Sequence, residues 1–302
     1  MTMSLATRPK ASLGGIGYAF VAYALFAIAD ASVKGVGPGL SAFESSFILT
    51  VASIAVVPFL KARDESWTGM LHMRRPVLTL ARATASTLAG IFSVVALTRI
   101  PIAEAYSLIF LAPVIALILS VLVLSEAVGW RRWSSVAAGI AGVLIVTRPG
   151  FHALNIGHLS ALAASLCVAA SVIALRQLGP DERPSTIYAW LTIVSLAVNL
   201  ALMLAYGWVA PTPLQWGLLV LCGVAAGGGQ IFLMAATRVA PANQVAPLQY
   251  NQLGWAIVYG AVFFLELPDL PTIIGLLFVA SSGLFLIQRK PKDAVPMPGT
   301  LT

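Results

Sequence analysis

The sequence predicts an all-α polytopic membrane protein, with ten transmembrane helices forming two inverted five-helix repeats around a central cavity. Three observations predict it: ten apolar stretches between polar breaks, basic residues gathered on alternate breaks, and a repeat of about 140 residues. Hydrophobic residues make up 59% of the 302-residue chain and charged residues 10%, whereas about a quarter of a soluble domain is charged. The solvent for most of this chain is therefore lipid.

A helical span needs about 20 apolar residues. The stretches run approximately from 13 to 33, 41 to 60, 76 to 97, 101 to 124, 134 to 147, 156 to 176, 185 to 206, 215 to 236, 242 to 264 and 271 to 287, the fifth being short. If the N-terminus is cytoplasmic, the inner breaks hold Arg8, Lys10, Lys61, Arg63, Arg74, Arg75, Arg131, Arg132, Arg176, Arg183, Arg238, Arg289, Lys290 and Lys292. Only Lys34, Arg99 and Arg148 fall outside, with Arg82 inside a span. An odd number of spans would scramble this asymmetry, so both chain ends are expected in the cytoplasm. Arg8 and Lys10 ahead of an apolar run ending in Ala29-Asp30-Ala31 imitate a secretory leader. The run is longer than a leader's, and a matching segment recurs in the second half, so it is expected to remain as a span. The net charge of +7 does not imply nucleic acid, which needs a water-exposed basic face with stacking aromatics. Cys167 and Cys222 lie within spans and are expected to pack.

The halves are related by register. "TVASIA" from Thr50 matches "TIVSLA" from Thr192, and Lys34 matches Arg176. "TRIPIAEAYSL" from Thr98 answers "TRVAPANQVAPL" from Thr237, "SEAVGW" from Ser125 answers "LELPDL" from Leu265, and "GVLIVTRP" from Gly142 answers "GLFLIQRKP" from Gly283, all at spacings of 139 to 142 residues. The expected division is 1–150 and 151–302, the second half ending in a short cytoplasmic tail. Five spans per half make the second half enter the membrane upside down. Inverted repeats suit secondary transport, because two such halves can expose one midplane site alternately to either side.

The stretch "PIAEAYSLIFLAPVIALILSVLVLSEAVGWRRWSSVAAGIAGVLIVTRPG" from Pro101, with its degenerate copy from Pro241 to Pro291, resembles the drug/metabolite transporter superfamily in its EamA-type ten-helix branch. The resemblance extends from about 13 to 290. It implies a basket of helices in a bacterial inner membrane, with a cavity lined chiefly by spans 1, 3, 4, 6, 8 and 9 and by parts of 2 and 7. Members move amino acids, nucleotide sugars, adenosylmethionine, phosphorylated sugars and drugs. The chain looks most like the bacterial amino-acid exporters, including the aromatic type, and export is implied by that resemblance alone. Adenosylmethionine or nucleoside-type cargo is the alternative.

The polar residues inside the spans supply the candidate site. At 100° per residue, Asn243, Gln244, Pro247, Tyr250, Asn251, Trp255 and Tyr259 share roughly half of the ninth span, with Gln252 and Gln249 at or beyond its edge. Amides in hydrocarbon need partners or water, so this half is expected to face a wet cavity rather than serve only as interhelical glue. Pro247 frees a backbone carbonyl and allows a bend. In the repeat, Glu104 falls opposite Asn243 and Ser107 opposite Ala246, so the two walls differ chemically. Gly227, Gly228 and Gly229 precede Gln230; the glycines are expected to let helices approach, and Gln230 to line the cavity or bond a neighbouring helix.

Ionisable residues in spans are functional candidates. Asp30 has Lys34 one helical turn on, an order that favours an ion pair at a helix end or a grip on a zwitterion. Arg82 snorkels or meets substrate. Glu44 and Glu104 sit in first turns, where capping competes with a cavity role; Glu126 and Glu266 are expected to fix turns. His72, His152 and His158 have no metal-ligand spacing, no phosphate-cradling loop is present, and no catalytic set is evident. Neither cofactor nor metal is expected, and no enzymatic activity. The expected partners are a small-molecule substrate and the bilayer, not nucleic acid; the sequence sets no oligomeric state, and a monomer suffices for the cavity.

Overall fold

The computed structural model of the chain describes residues 13–60, 66–124, 129–148, 154–178, 182–239 and 245–287. These residues are helical nearly throughout, with no strand among them. Span 1 is Leu13–Val36; span 2 is Ala42–Ser53, continued by a 3-10 turn at Ile54–Val56 and the helical turn Val57–Leu60. Span 3 is Pro76–Arg99, span 4 Ile102–Ile109 with Ala112–Leu124, span 5 Trp130–Thr147 and span 6 Ile156–Leu178. Span 7 is Pro184–Tyr206 and span 8 Pro213–Val239; span 9 is the 3-10 helix Ala246–Tyr250 running into Asn251–Phe264, and span 10 is Leu270–Ile287.

Seven of the described helices cross a bilayer by length and composition alone, covering spans 1 to 4 and 6 to 8. Spans 5 and 10 have 18 residues each, a rise of about 27 Å against a hydrocarbon core of about 30 Å. Prolines explain the interruptions. Pro113 has no N–H and its ring crowds the carbonyl of Ile109, so span 4 breaks at Phe110 and Leu111. Pro58 acts likewise on Ile54, where span 2 tightens to 3-10. Pro76 and Pro184 instead stand at the first turns of spans 3 and 7, where the missing N–H costs nothing.

The packing pattern carries a two-fold symmetry. Span 1 runs along span 8 as span 6 runs along span 3; span 2 meets span 8 as span 7 meets span 3. Spans 2 and 7 touch each other, as do spans 5 and 10. Exchanging the first five spans for the last five leaves this pattern unchanged, and five crossings reverse the direction of the chain. The axis therefore lies in the membrane plane.

Small residues set the closest crossings, as expected where lipid-facing helices gain no hydrophobic drive to associate. A Cβ on Gly142 would stand 2.7 Å from the Gly275 carbonyl oxygen, and one on Gly275 2.6 Å from that of Gly142, where spans 5 and 10 cross. Gly223 of span 8 admits the Leu49 carbonyl of span 2, Gly227 admits Val56, and Gly229 admits the Phe26 ring of span 1. Gly228 has only Leu25 nearby, at 3.6 Å.

Candidate functional site

Between the halves lies a cavity of about 420 Å³, lined from spans 1, 2, 3, 7, 8 and 9. Its polar wall is built mostly of hydroxyls. Ser46, Thr50 and Ser53 stand at i, i+4 and i+7 on span 2, and their repeat mates Tyr188, Thr192 and Ser195 do the same on span 7. This spacing puts each set on one helix face. Span 3 adds Ser86, Thr87 and Ser93 around Gly90, and span 9 adds Gln252. Several hydroxyls satisfy themselves within their own helix: Thr50 Oγ1 donates to the Ser46 carbonyl at 2.6 Å, and Thr192 Oγ1 to that of Tyr188 at 3.0 Å. Their lone pairs remain for a guest. Apolar contact comes from Phe26, Val33, Leu49, Leu97 and Leu191.

Asp30 is the one acidic side chain in the described lining, and no Lys or Arg is among its residues. The Asp30 carboxylate accepts a hydrogen bond from the Tyr106 hydroxyl of span 4. The Gln252 amide faces the Tyr106 oxygen, and the Tyr106 ring continues through Phe110 to Tyr250, centroids 5.3 and 5.6 Å apart. The ion pair expected between Asp30 and Lys34 is not made. Lys34 Nζ reaches Glu266 at 2.8 Å and the Ile100 carbonyl at 2.8 Å, because the chain after span 9 turns back through a left-handed Leu265 and aims Glu266 at the end of span 1.

The far face of the bundle, opposite the side on which span 1 begins, carries an ionic collar. Glu266 joins Lys34 and accepts from the Ile102 backbone N–H at 3.3 Å. Arg148, at the end of span 5, bonds Asp269 ahead of span 10. Glu104 meets His158 Nε2 at 3.1 Å, while His158 Nδ1 lies 3.2 Å from the Asn155 backbone nitrogen and 3.1 Å from Asn155 Oδ1. Arg148 and Thr272 hold the Asp269 carboxyl well below the usual carboxylate range. Glu104, Arg148, Glu266 and Asp269 surround a second pocket of about 350 Å³.

Two further carboxylates tie loops across the two-fold. Glu182, ahead of span 7, accepts from the Arg74 and Arg75 N–H groups and from Thr79 at the start of span 3. Glu44 of span 2 accepts from Val209 N–H after span 7, while Ser41 provides the cap of span 2.

The sequence candidates are distributed as follows. Asp30 lines the cavity and is backed by Tyr106. From span 9 the cavity takes Gln252, at the edge of the projected face, and its described lining does not include Tyr250, Asn251 or Trp255. The 3-10 winding of Ala246–Tyr250 turns about 120° per residue rather than 100°, which moves Pro247 out of the single-pitch register projected for it with Asn251 and Trp255. Trp255 meets Phe20 of span 1 and stacks on Tyr259 at 5.4 Å. Tyr250 Oη, Asn251 Nδ2 and Trp255 Nε1 are buried polar atoms without a hydrogen-bond partner. Ser107 is fully buried and bonds the Glu104 carbonyl at 2.7 Å. Gln230 and Arg82 are partly buried and do not belong to the described lining; Arg82 Nε has no partner. Asn243, Gln244 and Glu126 lie outside the described residues, as does the start of the junction between the halves. Gly228 and Gly229 sit at the span 1 crossing, and Pro247 lies in the 3-10 helix. Cys222 lines the cavity, beyond the packing role expected of it. The hydroxyl stripes have a sequence signal of their own, the i, i+4, i+7 spacing that starts at Ser46 and Tyr188 and runs into the duplicated "TVASIA" and "TIVSLA" segments.

Comparison with known proteins agrees with this architecture. Relatives include a riboflavin transporter of Rhizobium johnstonii, 28% identical over 95% of both chains, and an S-adenosylmethionine uptake transporter of Rickettsia prowazekii, 26% identical over 94% of this chain and 96% of the relative. A pseudopaline exporter of Pseudomonas aeruginosa is 25% identical over 91% of this chain and 96% of its own. A solved crystal structure shares the fold with a TM-score of 0.64 at 15% identity, covering 90% of this chain and 96% of that one. The EamA-like transporter family model matches twice, at residues 13–148 and 155–288. A two-fold helical basket around a hydroxyl-lined cavity, matched by that model on both sides of the axis, is a small-metabolite transporter: the chain belongs to the EamA-like transporter family.

Proposed function

We propose that the protein is a secondary transporter for metabolites in which a heteroaromatic ring is joined to a polyhydroxylated chain or sugar, moved across a bacterial inner membrane by alternating access. Both chain ends are then cytoplasmic, in keeping with the basic residues on alternate breaks. The observation that carries this reading is the cavity wall. Its hydroxyls from spans 2, 3 and 7, several of which spend their proton on their own helix, present lone pairs to the O–H groups of a polyol without a fixed charge, while Phe26 and Tyr188 bring rings to the lining. A volume of about 420 Å³ falls within the usual range for small-molecule sites, about 300–1,000 Å³. The relatives named for riboflavin and S-adenosylmethionine carry cargo of this form. Phosphorylated cargo fits less well, because the described lining holds no cation.

Export of aromatic and other neutral amino acids is the second reading, favoured by one observation. Tyr250 Oη, Asn251 Nδ2 and Trp255 Nε1 are buried without acceptors, and unmet donors cost about 1–3 kcal/mol each. A cargo carboxylate drawn against this part of span 9 would satisfy them.

Proteoliposome counterflow with labelled riboflavin, S-adenosylmethionine, adenosine and a panel of amino acids separates the two. Exchange of the ring-bearing polyols supports the first reading. Exchange restricted to amino acids replaces it with the second, and exchange of neither class overturns both.

A further inference from the structure

The cavity contains a carboxylate whose charge nothing in the described lining balances. Asp30 faces Cys222 from span 8, Tyr106 from span 4, and Gln252 from span 9 with Tyr259 beyond Tyr106. From spans 2 and 3 the cavity presents only hydroxyl and apolar groups, and from span 7 Tyr188 with two further hydroxyls. On its own helix, Lys34 is held by Glu266 and by the Ile100 carbonyl. An ionised carboxylate removed from water is costly unless a cation or a proton joins it. The groups around it allow either. With Asp30 ionised, Tyr106 donates to the carboxylate, and its oxygen faces the Gln252 amide, which can donate to it. With Asp30 protonated, its O–H donates to Tyr106, which turns its own hydroxyl to the Gln252 carbonyl oxygen; a primary amide serves either direction.

We propose that Asp30 is a shared site for one proton and for the cationic group of the cargo, a sulfonium or an amine, so that each displaces the other and transport of a cationic cargo is exchanged against a proton. The proposal rests on the cavity being the cargo site. The step moves one proton from the carboxylic acid to water as the cation arrives and forms no covalent bond. An uncharged cargo of the same shape makes no such exchange.

The test measures S-adenosylmethionine binding to the purified full-length protein between about pH 5 and 7, below the titration of the cargo's own amine, with proton release followed by an indicator in weak buffer. Competition at one site weakens cation binding by about tenfold per pH unit on the acid side and releases about one proton per bound cation; uncharged riboflavin shows neither effect. Asp30→Asn abolishes the release and flattens the profile. Should that variant not fold, Tyr106→Phe, which keeps the ring against Phe110, displaces the midpoint of the profile. Binding of S-adenosylmethionine with a flat profile and no proton release in the unmodified protein overturns the proposal, as does an unmoved midpoint in Tyr106→Phe. If neither probe binds, the cargo reading fails, and the proton site is decided separately in reconstituted membranes. There, an infrared carboxylic-acid band that grows on acidification and is missing from Asp30→Asn supports it, and the lack of such a band overturns it.

Discussion

Thr50 of span 2 and Ser195 of span 7 meet across the two-fold axis, Oγ1 to Oγ at 3.2 Å. Their repeat mates are Thr192 and Ser53, so the same sequence segment contributes to both sides of the cavity. Thr50 Oγ1 already donates to Ser46 and Ser195 Oγ accepts from Asn199 at 3.2 Å, which leaves accepting capacity for cargo on both. Thr50→Val keeps the β-branched shape and removes the hydroxyl. Loss of one hydrogen bond worth about 1 kcal/mol weakens cargo affinity by about fivefold, with expression and thermal stability close to the parent. Counterflow at graded cargo concentrations checks this; an unchanged half-saturation would remove Thr50 from the binding wall.

The Lys34–Glu266 pair ties the end of span 1 to the turn after span 9 one helical turn beyond Asp30. Its side chains are only 10% and 28% exposed, so removing one charge leaves the other poorly solvated. Glu266→Gln is expected to favour the state open to the far face. Cys222 on the cavity wall is a native reporter in a Cys167→Ser background. An impermeant thiol reagent applied from the far side should label it about tenfold faster in Glu266→Gln, a shift of about 1.4 kcal/mol in the range of conformational coupling. The charge-swapped pair Lys34→Glu with Glu266→Lys should restore the slow rate. Equal labelling in all three proteins would show that the pair does not gate the cavity.

Spans 5 and 10 depend on two glycines. A Cβ on Gly142 would lie 2.7 Å from the Gly275 carbonyl oxygen and 2.9 Å from Val279 N, and backbone cannot yield as a side-chain tip can. Gly142→Ala therefore costs about 1–3 kcal/mol of packing strain, seen as a thermal midpoint lower by several degrees. Gly90→Ala is the contrast. Its Cβ meets nothing within 4 Å, and alanine favours helix over glycine by about 1 kcal/mol, so the midpoint should hold or rise. Scanning fluorimetry in detergent measures both; equal loss would mean that the crossing is looser than its geometry.

Periodicity and repeat register made the ten spans legible, because lipid enforces length and the two halves check each other. The site was less legible for separate reasons. Ser and Thr in a span can bond their own helix, as Thr50 and Thr192 do, so their presence alone does not demand a cavity. Lys34 is one turn from Asp30 yet pairs with Glu266, a partner brought in only by the tertiary turn at Leu265. In span 9 the helical period fixes only the spacing of Asn251, Gln252 and Trp255 within the α-helix Asn251–Phe264, not which edge meets the cavity; packing on span 1 sets that, with Gln252 on the cavity and Trp255 against Phe20 and Tyr259.

The Arg148–Asp269 contact on the far face gives a pH dependence with a definite sign. Asp269 caps span 10, accepting from Thr272 N–H at 3.0 Å and Thr272 Oγ1 at 2.6 Å, and it also bonds Arg148 at the end of span 5. These donors, Arg148 first, favour the ionised form and depress the folded-state titration of the carboxyl. A depressed carboxyl stabilises the fold fully above its unfolded-state value of about 3.9 and loses that contribution as pH falls through the lower folded value. The Asp269 side chain is 53% exposed, so solvent screening keeps the gain small. Asp269→Asn should therefore lower the thermal midpoint modestly at neutral pH, and the gap to the parent should close only in strongly acid solution, below about pH 4. Arg148→Ala should reproduce the neutral-pH loss, and high salt should shrink it. A gap that stays constant from neutral to strongly acid pH would assign the effect to side-chain packing instead of to the charge.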